Sequence, residues 1–224
     1  MFQTRYAGAS RPVQWAKGWV ALVLCLAVLW PQAWAASPAK AATPRTVLVF
    51  GDSLSAGYGM AALQGWVALL GKRLAARKPG WALANASISG ETTAGGISRI
   101  DKVLERVAPD VVVIELGAND GLRGLPLAQS RANLTRMVKA SKQAGAKVLL
   151  VGMRMPPNLG KPYTEGFAAN YRAVAQAEDV ALLPFLLEPV AADRGNFQQD
   201  NLHPTAAAQP QLLDHVWKAL EPLL

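Results

Sequence analysis

The 224-residue chain has one cysteine, Cys25, and it lies in an N-terminal apolar run. Everything after it must therefore fold without a disulfide and be held by its core, which a chain of this length can supply. Histidine is nearly as scarce, with only His203 and His215. So poor a ligand set gives no reason to expect a metal, and no cofactor is expected. Two glycine-rich phosphate loops, G-x-x-x-x-G-K-[ST] and G-x-G-x-x-G, are also missing, as is any internal repeat. Charged residues make up 17% against 51% hydrophobic, which excludes a disordered chain. Negative charge is in deficit: 15 acidic against 23 basic side chains, a formal net charge of +8.

Part of that excess belongs to the first 35 residues. Arg5, Arg11 and Lys17 precede "GWVALVLCLAVLW", and "PQAWAA" follows with Ala33 and Ala35 flanking Trp34. A basic start, an apolar run and an A-x-A site make a secretory signal peptide. The alternative is an uncleaved anchor, but the apolar run falls short of the roughly 20 residues that span a bilayer. We expect residues 1–35 to be a signal peptide cleaved after Ala35, residues 36–45 a short linker and residues 46–224 one domain, periplasmic or secreted. The exported chain keeps 20 basic against 15 acidic side chains, a net charge of +5.

Those cations are dispersed. Lys72, Arg73 and Arg77, then Arg99, Lys102 and Arg106, then Arg131, Arg136, Lys139 and Lys142 alternate with apolar residues, as on solvated helix faces. This pattern argues against a nucleic-acid partner and leaves at most a weak attraction to anionic membrane surfaces. A monomer is expected.

From Thr46 onward, short apolar runs alternate with segments of helical period. Strands are expected at 46–50, 81–86, 110–117, 146–152 and 180–185, and helices at about 62–78, 94–107, 127–144, 163–178 and 205–223. Repeated strand–helix alternation gives an α/β fold: three layers, doubly wound and flavodoxin-like, with a five-stranded parallel sheet. Such folds place their chemistry in the loops at the carboxyl ends of the strands. Those loops read "GDSLSAG", "SISGETTAGG", "GANDGLRG", "MRMPPNLGKP" and, after the last strand, "DNLHP".

His203 is the most informative residue among them, because His215 sits in an amphipathic terminal helix. Asp200 precedes it by three positions, and Pro204 is expected to start a helix, so carboxylate and imidazole can meet across one turn. A carboxylate on Nδ1 fixes the tautomer and leaves Nε2 as a base. Ser53, at the end of the first strand, is the hydroxyl such a base would activate. Ser55 is its rival, though it lacks the glycine two places before it that a G-x-S-x-G elbow would have. Asp52 reads as a turn or capping carboxylate. Gly90 can bring a bare N–H close to a ligand, and Asn119 offers a side-chain amide; each also reads as an ordinary turn residue.

"GDSLSAGYG", the Gly90 of "SISGETTAGG", the Asn119 of "GAND" and the Asp200/His203 pair of "DNLHPT" resemble, in order, the four blocks of the SGNH hydrolases, or GDSL esterases and lipases. The resemblance covers roughly residues 46 to 212. "NASISGET", "ELGANDGLRG" and "LLPF" look more narrowly like the periplasmic branch with acyl-CoA thioesterase, lysophospholipase and arylesterase activities. It implies the SGNH hydrolase fold, with Ser53 as nucleophile, His203 as general base and Asp200 as its orienting partner. It also implies an oxyanion hole from the Ser53 N–H, the Gly90 N–H and the Asn119 side chain. Glu91 stands where close relatives often have Asp and has no catalytic role in the pattern.

The expected reaction is acyl transfer from small-molecule esters or thioesters through an acyl-enzyme. The sheet and its helices use nearly all of the exported chain, leaving no room for a lid domain. Met153, Arg154, Met155 and Pro156, in the long segment after the fourth strand, either wall an acyl groove or form a plain connection. Two other functions remain open at this point: a carbohydrate or peptidoglycan O-acetylesterase using the same groups, and a non-catalytic anion-binding module, which would have no use for Asp200 and His203.

Overall fold

The computed structural model describes residues 44–61 and 63–224. The expected signal peptide, 1–35, and most of the expected linker, 36–45, lie outside the described residues. Arg45, assigned above to the linker, is already in the sheet, where it opposes Trp81 with its guanidinium 4.2 Å from the indole centroid.

Five strands form the sheet: β1 (Arg45–Gly51), β2 (Trp81–Asn85), β3 (Val111–Glu115), β4 (Lys147–Val151) and β5 (Ala181–Leu183). All pairs are parallel, in the order β2-β1-β3-β4-β5. This is the doubly wound, flavodoxin-like arrangement expected. The central strands are apolar throughout because helices cover both faces: Val47, Leu48, Val49 and Phe50 of β1 and Val111, Val112, Val113 and Ile114 of β3 are fully buried.

The long helices are α2 (Trp66–Arg77), α3 (Thr93–Val107), α5 (Leu127–Gln143), α6 (Lys161–Glu178) and α7 (Gln209–Leu220). Helices α2 and α7 pack together in one layer, and α3, α5 and α6 pack side by side in the other. Two short helices had no periodic signal: α1 (Ser53–Ala56) and α4 (Ala118–Leu122). Each is a single turn directly after a strand, too short to show an apolar period. The last helix also starts later than expected. Pro204 does not open it; Pro204 bridges to Phe197 and Thr205 N–H donates to Asn196 O, so the chain stays extended through Thr205, and a 3-10 turn at Ala206–Ala208 leads into α7.

Two of the dispersed cations are not on solvated faces. Arg73 is half-buried, paired with Asp214 at 2.6 Å and close to the Trp217 ring. Arg99 reaches inward to lie 3.9 Å from the Phe50 ring centroid. The others named in α3 and α5 are exposed.

The order β2-β1-β3 reverses winding direction between β1 and β3, and the crevice at the carboxyl ends of these strands is where doubly wound folds take ligands. Because the core rather than the surface holds this edge in shape, Leu150→Ala, at a fully buried position of β4, should lower unfolding free energy by about 2–5 kcal/mol. Arg131→Ala, at an exposed position of α5, should stay within about 0.5 kcal/mol. Urea unfolding midpoints at unchanged m-value check both.

Candidate active site

β1 ends in "FGDS", and each residue of that turn has a structural reason. A Cβ on Gly51 would lie 2.8 Å from both Glu115 Oε2 and Ser55 Oγ, so only glycine fits between β1 and these side chains. Asp52 then caps α1, its Oδ1 accepting the Leu54 N–H at 3.0 Å. Ser53 is the first residue of α1. As such its N–H has no intrahelical acceptor, and its side chain faces the cleft.

Opposite it, "DNLH" is a tight turn built by its own carboxylate. Asp200 Oδ1 accepts the N–H groups of Leu202 (2.9 Å) and His203 (3.0 Å), while Oδ2 lies 2.7 Å from His203 Nδ1. The other ring nitrogen, Nε2, is 2.8 Å from Ser53 Oγ. A serine, an imidazole and a carboxylate thus stand in one hydrogen-bonded row across 150 residues of chain. Burial pushes the Asp200 carboxyl up, but the two amides and the imidazole outweigh it and hold it down at about 2. It is therefore ionised at any working pH and keeps its hold on Nδ1–H. Tyr58 adds a wall to this row, its ring centroid 4.5 Å from that of His203. His215, by contrast, is in α7 with a ring nitrogen 3.0 Å from Phe185 O, a packing role apart from the row.

Gly90 has φ +79°, a conformation a side chain would strain, and a Cβ there would meet nothing. Its N–H has no acceptor among the hydrogen bonds of the described residues. Arg123 Nη2 donates to Gly90 O at 3.1 Å, tying this loop to the end of α4. Asn119, in α4, has both amide hydrogens engaged: Nδ2 donates to Asp52 Oδ2 at 3.2 Å and to Glu91 O at 3.0 Å. A ligand oxygen in the cleft would compete with Glu91 O for one of them. Glu91 itself pairs with Arg99, whose Nε donates to Oε2 at 2.6 Å, so this position braces the loop.

The other serine of this segment is placed differently. Ser55 is buried and donates to Glu115 Oε2 at 2.6 Å, beneath the β1–α1 turn and away from the cleft. Glu115 is the residue that pattern reading missed. It is fully buried beside the fully buried Asp52. Its signal was present as a lone acid closing the apolar strand "VVVIE".

Ser53, Gly90, Asn119 and His203 line one cleft of about 540 Å³. Met153, Arg154, Met155 and Pro156 line it too, with the two methionines buried and Arg154 exposed, its guanidinium 4.9 Å from the Phe185 ring centroid. Phe185 and Leu187 extend this wall from the β5–α7 connection; Phe185, expected in the fifth strand, lies just past its end.

The doubly wound α/β fold thus sets a Ser-His-Asp row at its winding reversal, an arrangement chemically suited to hydrolysis. Residues 49–209 match the GDSL-like lipase/acylhydrolase family. Esterase TesA of Pseudomonas aeruginosa is 51% identical over 183 residues, which cover 82% of this chain and 91% of that protein. Thioesterase 1/protease 1/lysophospholipase L1 of Escherichia coli strain K12 is 41% identical over 185 residues, 83% of this chain and 88% of that protein. A crystal structure of TesA superposes with a TM-score of 0.78 at 52% identity, covering 80% of this chain and all of that one. The chain belongs to the GDSL-like lipase/acylhydrolase family, and it is a carboxylic ester hydrolase.

The Gly51 position gives a direct check on how the β1–α1 turn is held. Gly51→Ala must displace Glu115 or Ser55, so it should cost about 1–3 kcal/mol of stability. Because Asp52 and Ser53 follow immediately, esterase turnover should fall about tenfold or more as the row goes out of line. Turnover of a soluble ester alongside a denaturation curve checks both; a variant with wild-type values of each would contradict the packing described.

Proposed function

We propose that Ser53 is the nucleophile, His203 the general base and Asp200 its orienting partner in hydrolysis of acyl esters and thioesters. The observation that carries this reading is the unbroken contact from Ser53 Oγ to His203 Nε2 (2.8 Å) and from His203 Nδ1 to Asp200 Oδ2 (2.7 Å). Ser53 Oγ attacks the acyl carbonyl while its proton passes to Nε2. The tetrahedral oxyanion is held by the N–H groups of Ser53 and Gly90 and by the Asn119 amide, which turns from Glu91 O to meet it. The imidazolium then returns the proton to the leaving alcohol or thiol. Water, deprotonated by the same Nε2, releases the acid from the acyl-enzyme and restores Ser53.

The cleft wall supports an acyl chain as the bound group. Met153, Met155, Pro156, Phe185 and Leu187 give a wide apolar surface, and flexible thioethers adapt to chains of different length. An acetyl group on a glycan would leave most of that wall unused. Substrates are accordingly small acyl esters and thioesters of thioesterase, lysophospholipase and arylesterase type.

The exposed large apolar side chains of the described residues are Tyr58, Leu63, Ile88, Leu122 and Leu202. All follow the carboxyl ends of strands, around the cleft or in the loops leading to it, which supports weak contact with a lipid surface. No helix among the described residues is long and apolar enough to cross a membrane. We further propose that residues 1–35 direct export and are removed after Ala35, and that the domain works as a periplasmic or secreted monomer.

A panel of acyl esters and thioesters of increasing length tests this reading. Ser53→Ala should abolish turnover across the panel. Asn119→Ala should lose about a hundredfold in kcat, the usual effect of removing one oxyanion donor. Appreciable turnover by Ser53→Ala, or full activity in Asn119→Ala, would overturn the corresponding assignment.

A further inference from the structure

Two carboxyls lie beneath the nucleophile turn, and the mechanism above uses neither. Asp52 and Glu115 are both fully buried, side by side at the ends of two adjacent strands. Strand register places them there: Gly51 at the end of β1 opposes Glu115 at the end of β3. Two ionised carboxylates in such contact would repel in a medium that cannot screen them, so the pair must hold a proton.

Hydrogen-bond geometry says which member holds it. Donors converge on Asp52: the Leu54 N–H at 3.0 Å on Oδ1 and Asn119 Nδ2 at 3.2 Å on Oδ2. Glu115 receives Ser55 Oγ on Oε2 at 2.6 Å, while its Oε1 is buried with no hydrogen-bond partner among protein donors. An oxygen with no donor aimed at it is where a carboxylic O–H belongs, because there it becomes the donor. We infer that Glu115 carries a proton at neutral pH and donates it to Asp52, which makes it a positioning residue for the Asn119 amide. Asp52 then accepts from three sides and stays an anion that grips one hydrogen of Asn119 Nδ2, leaving the other to turn toward substrate.

The electrostatics agree. Burial, then the neighbouring Asp52 charge, raises the Glu115 carboxyl well above the usual carboxylate range, against the pull of Ser55 and the Asp52 amide. Burial also pushes Asp52 up, but only to about 6, because the Leu54 amide, the facing His203, Asn119 and Glu115 all favour its ionised form. The other titratable group that senses the pair is Tyr171 of α6, whose hydroxyl donates to Leu116 O at 2.9 Å. Asp120 is engaged by Thr93 and Ser130 and takes no part in the pair's hydrogen bonds.

The inference rests on the proposed role of Asn119, and its test separates the two. Infrared difference spectra of the intact protein at pH 8, wild type against Glu115→Gln, should show the carbonyl stretch of an un-ionised carboxylic acid in wild type alone. This readout does not depend on catalysis. Glu115→Gln can place its oxygen toward Ser55 and its NH₂ toward Asp52, imitating the acid. It should keep kcat within about twofold of wild type with an unchanged pH profile. Glu115→Leu removes the donor, so Asp52 should protonate at higher pH. The acid limb of kcat should then move up by about one pH unit, with KM little altered. No acid band in wild type would overturn the inference whatever the variants do. So would a Gln variant as impaired as the Leu variant, or a Leu variant that folds and keeps the wild-type profile.

Discussion

A single hydrogen bond, Ser53 Oγ to His203 Nε2 at 2.8 Å, joins residues 150 apart in the chain, and most of the architecture exists to make that distance possible. The Ser53 side is fixed by a buried strand whose last residue must be glycine. On the other side a four-residue turn folds around its own carboxylate. Neither side could hold its place without the sheet, because the loop that carries His203 has little regular structure of its own and is secured by Gln198. Gln198 Nε2 donates to Tyr58 O at 3.0 Å and to Pro204 O at 3.1 Å, clasping the two halves of the site together.

The acid pair shows that this placement has a thermodynamic cost. Asp52 titrates at about 6 in the folded protein against an ordinary 3.8. Its folded pKa is raised, so folding favours the protonated form. As pH climbs from 3.8 toward 6 the unfolded chain releases its proton first and stability falls, and above 6 the penalty is constant. A hydrophobic residue would avoid it but could not hold an amide in place. The same constraint applies to Glu115, which burial and the neighbouring Asp52 charge hold toward its neutral form.

Much of this was legible beforehand, for identifiable reasons. Short apolar runs separated by helical periods fix a parallel sheet, because only strands covered on both faces are apolar at consecutive positions. With the sheet in hand, the loops after each strand had to share one edge, and the scarcity of histidine made His203 stand out. Pro204 misled, since a proline that suits a helix start also suits an extended bridge, and here Phe197 supplied the partner. Glu115 went unread because strand patterning treats one terminal acid as a boundary marker, and only the register with Gly51 shows that it is buried. Arg99 reads as a solvated helix charge for a similar reason: helical spacing places it on a face, but the Phe50 ring and the Glu91 carboxylate that draw it inward belong to other elements.

The central claim is that Ser53, and not the neighbouring Ser55, is the hydroxyl made reactive by His203. Active-site titration with an alkyl fluorophosphonate, followed by peptide mass mapping, addresses it in one step. The account predicts stoichiometric modification at Ser53, loss of esterase activity in proportion, and little labelling once His203 is replaced by alanine. Modification at Ser55, or activity that survives full labelling of Ser53, would contradict it.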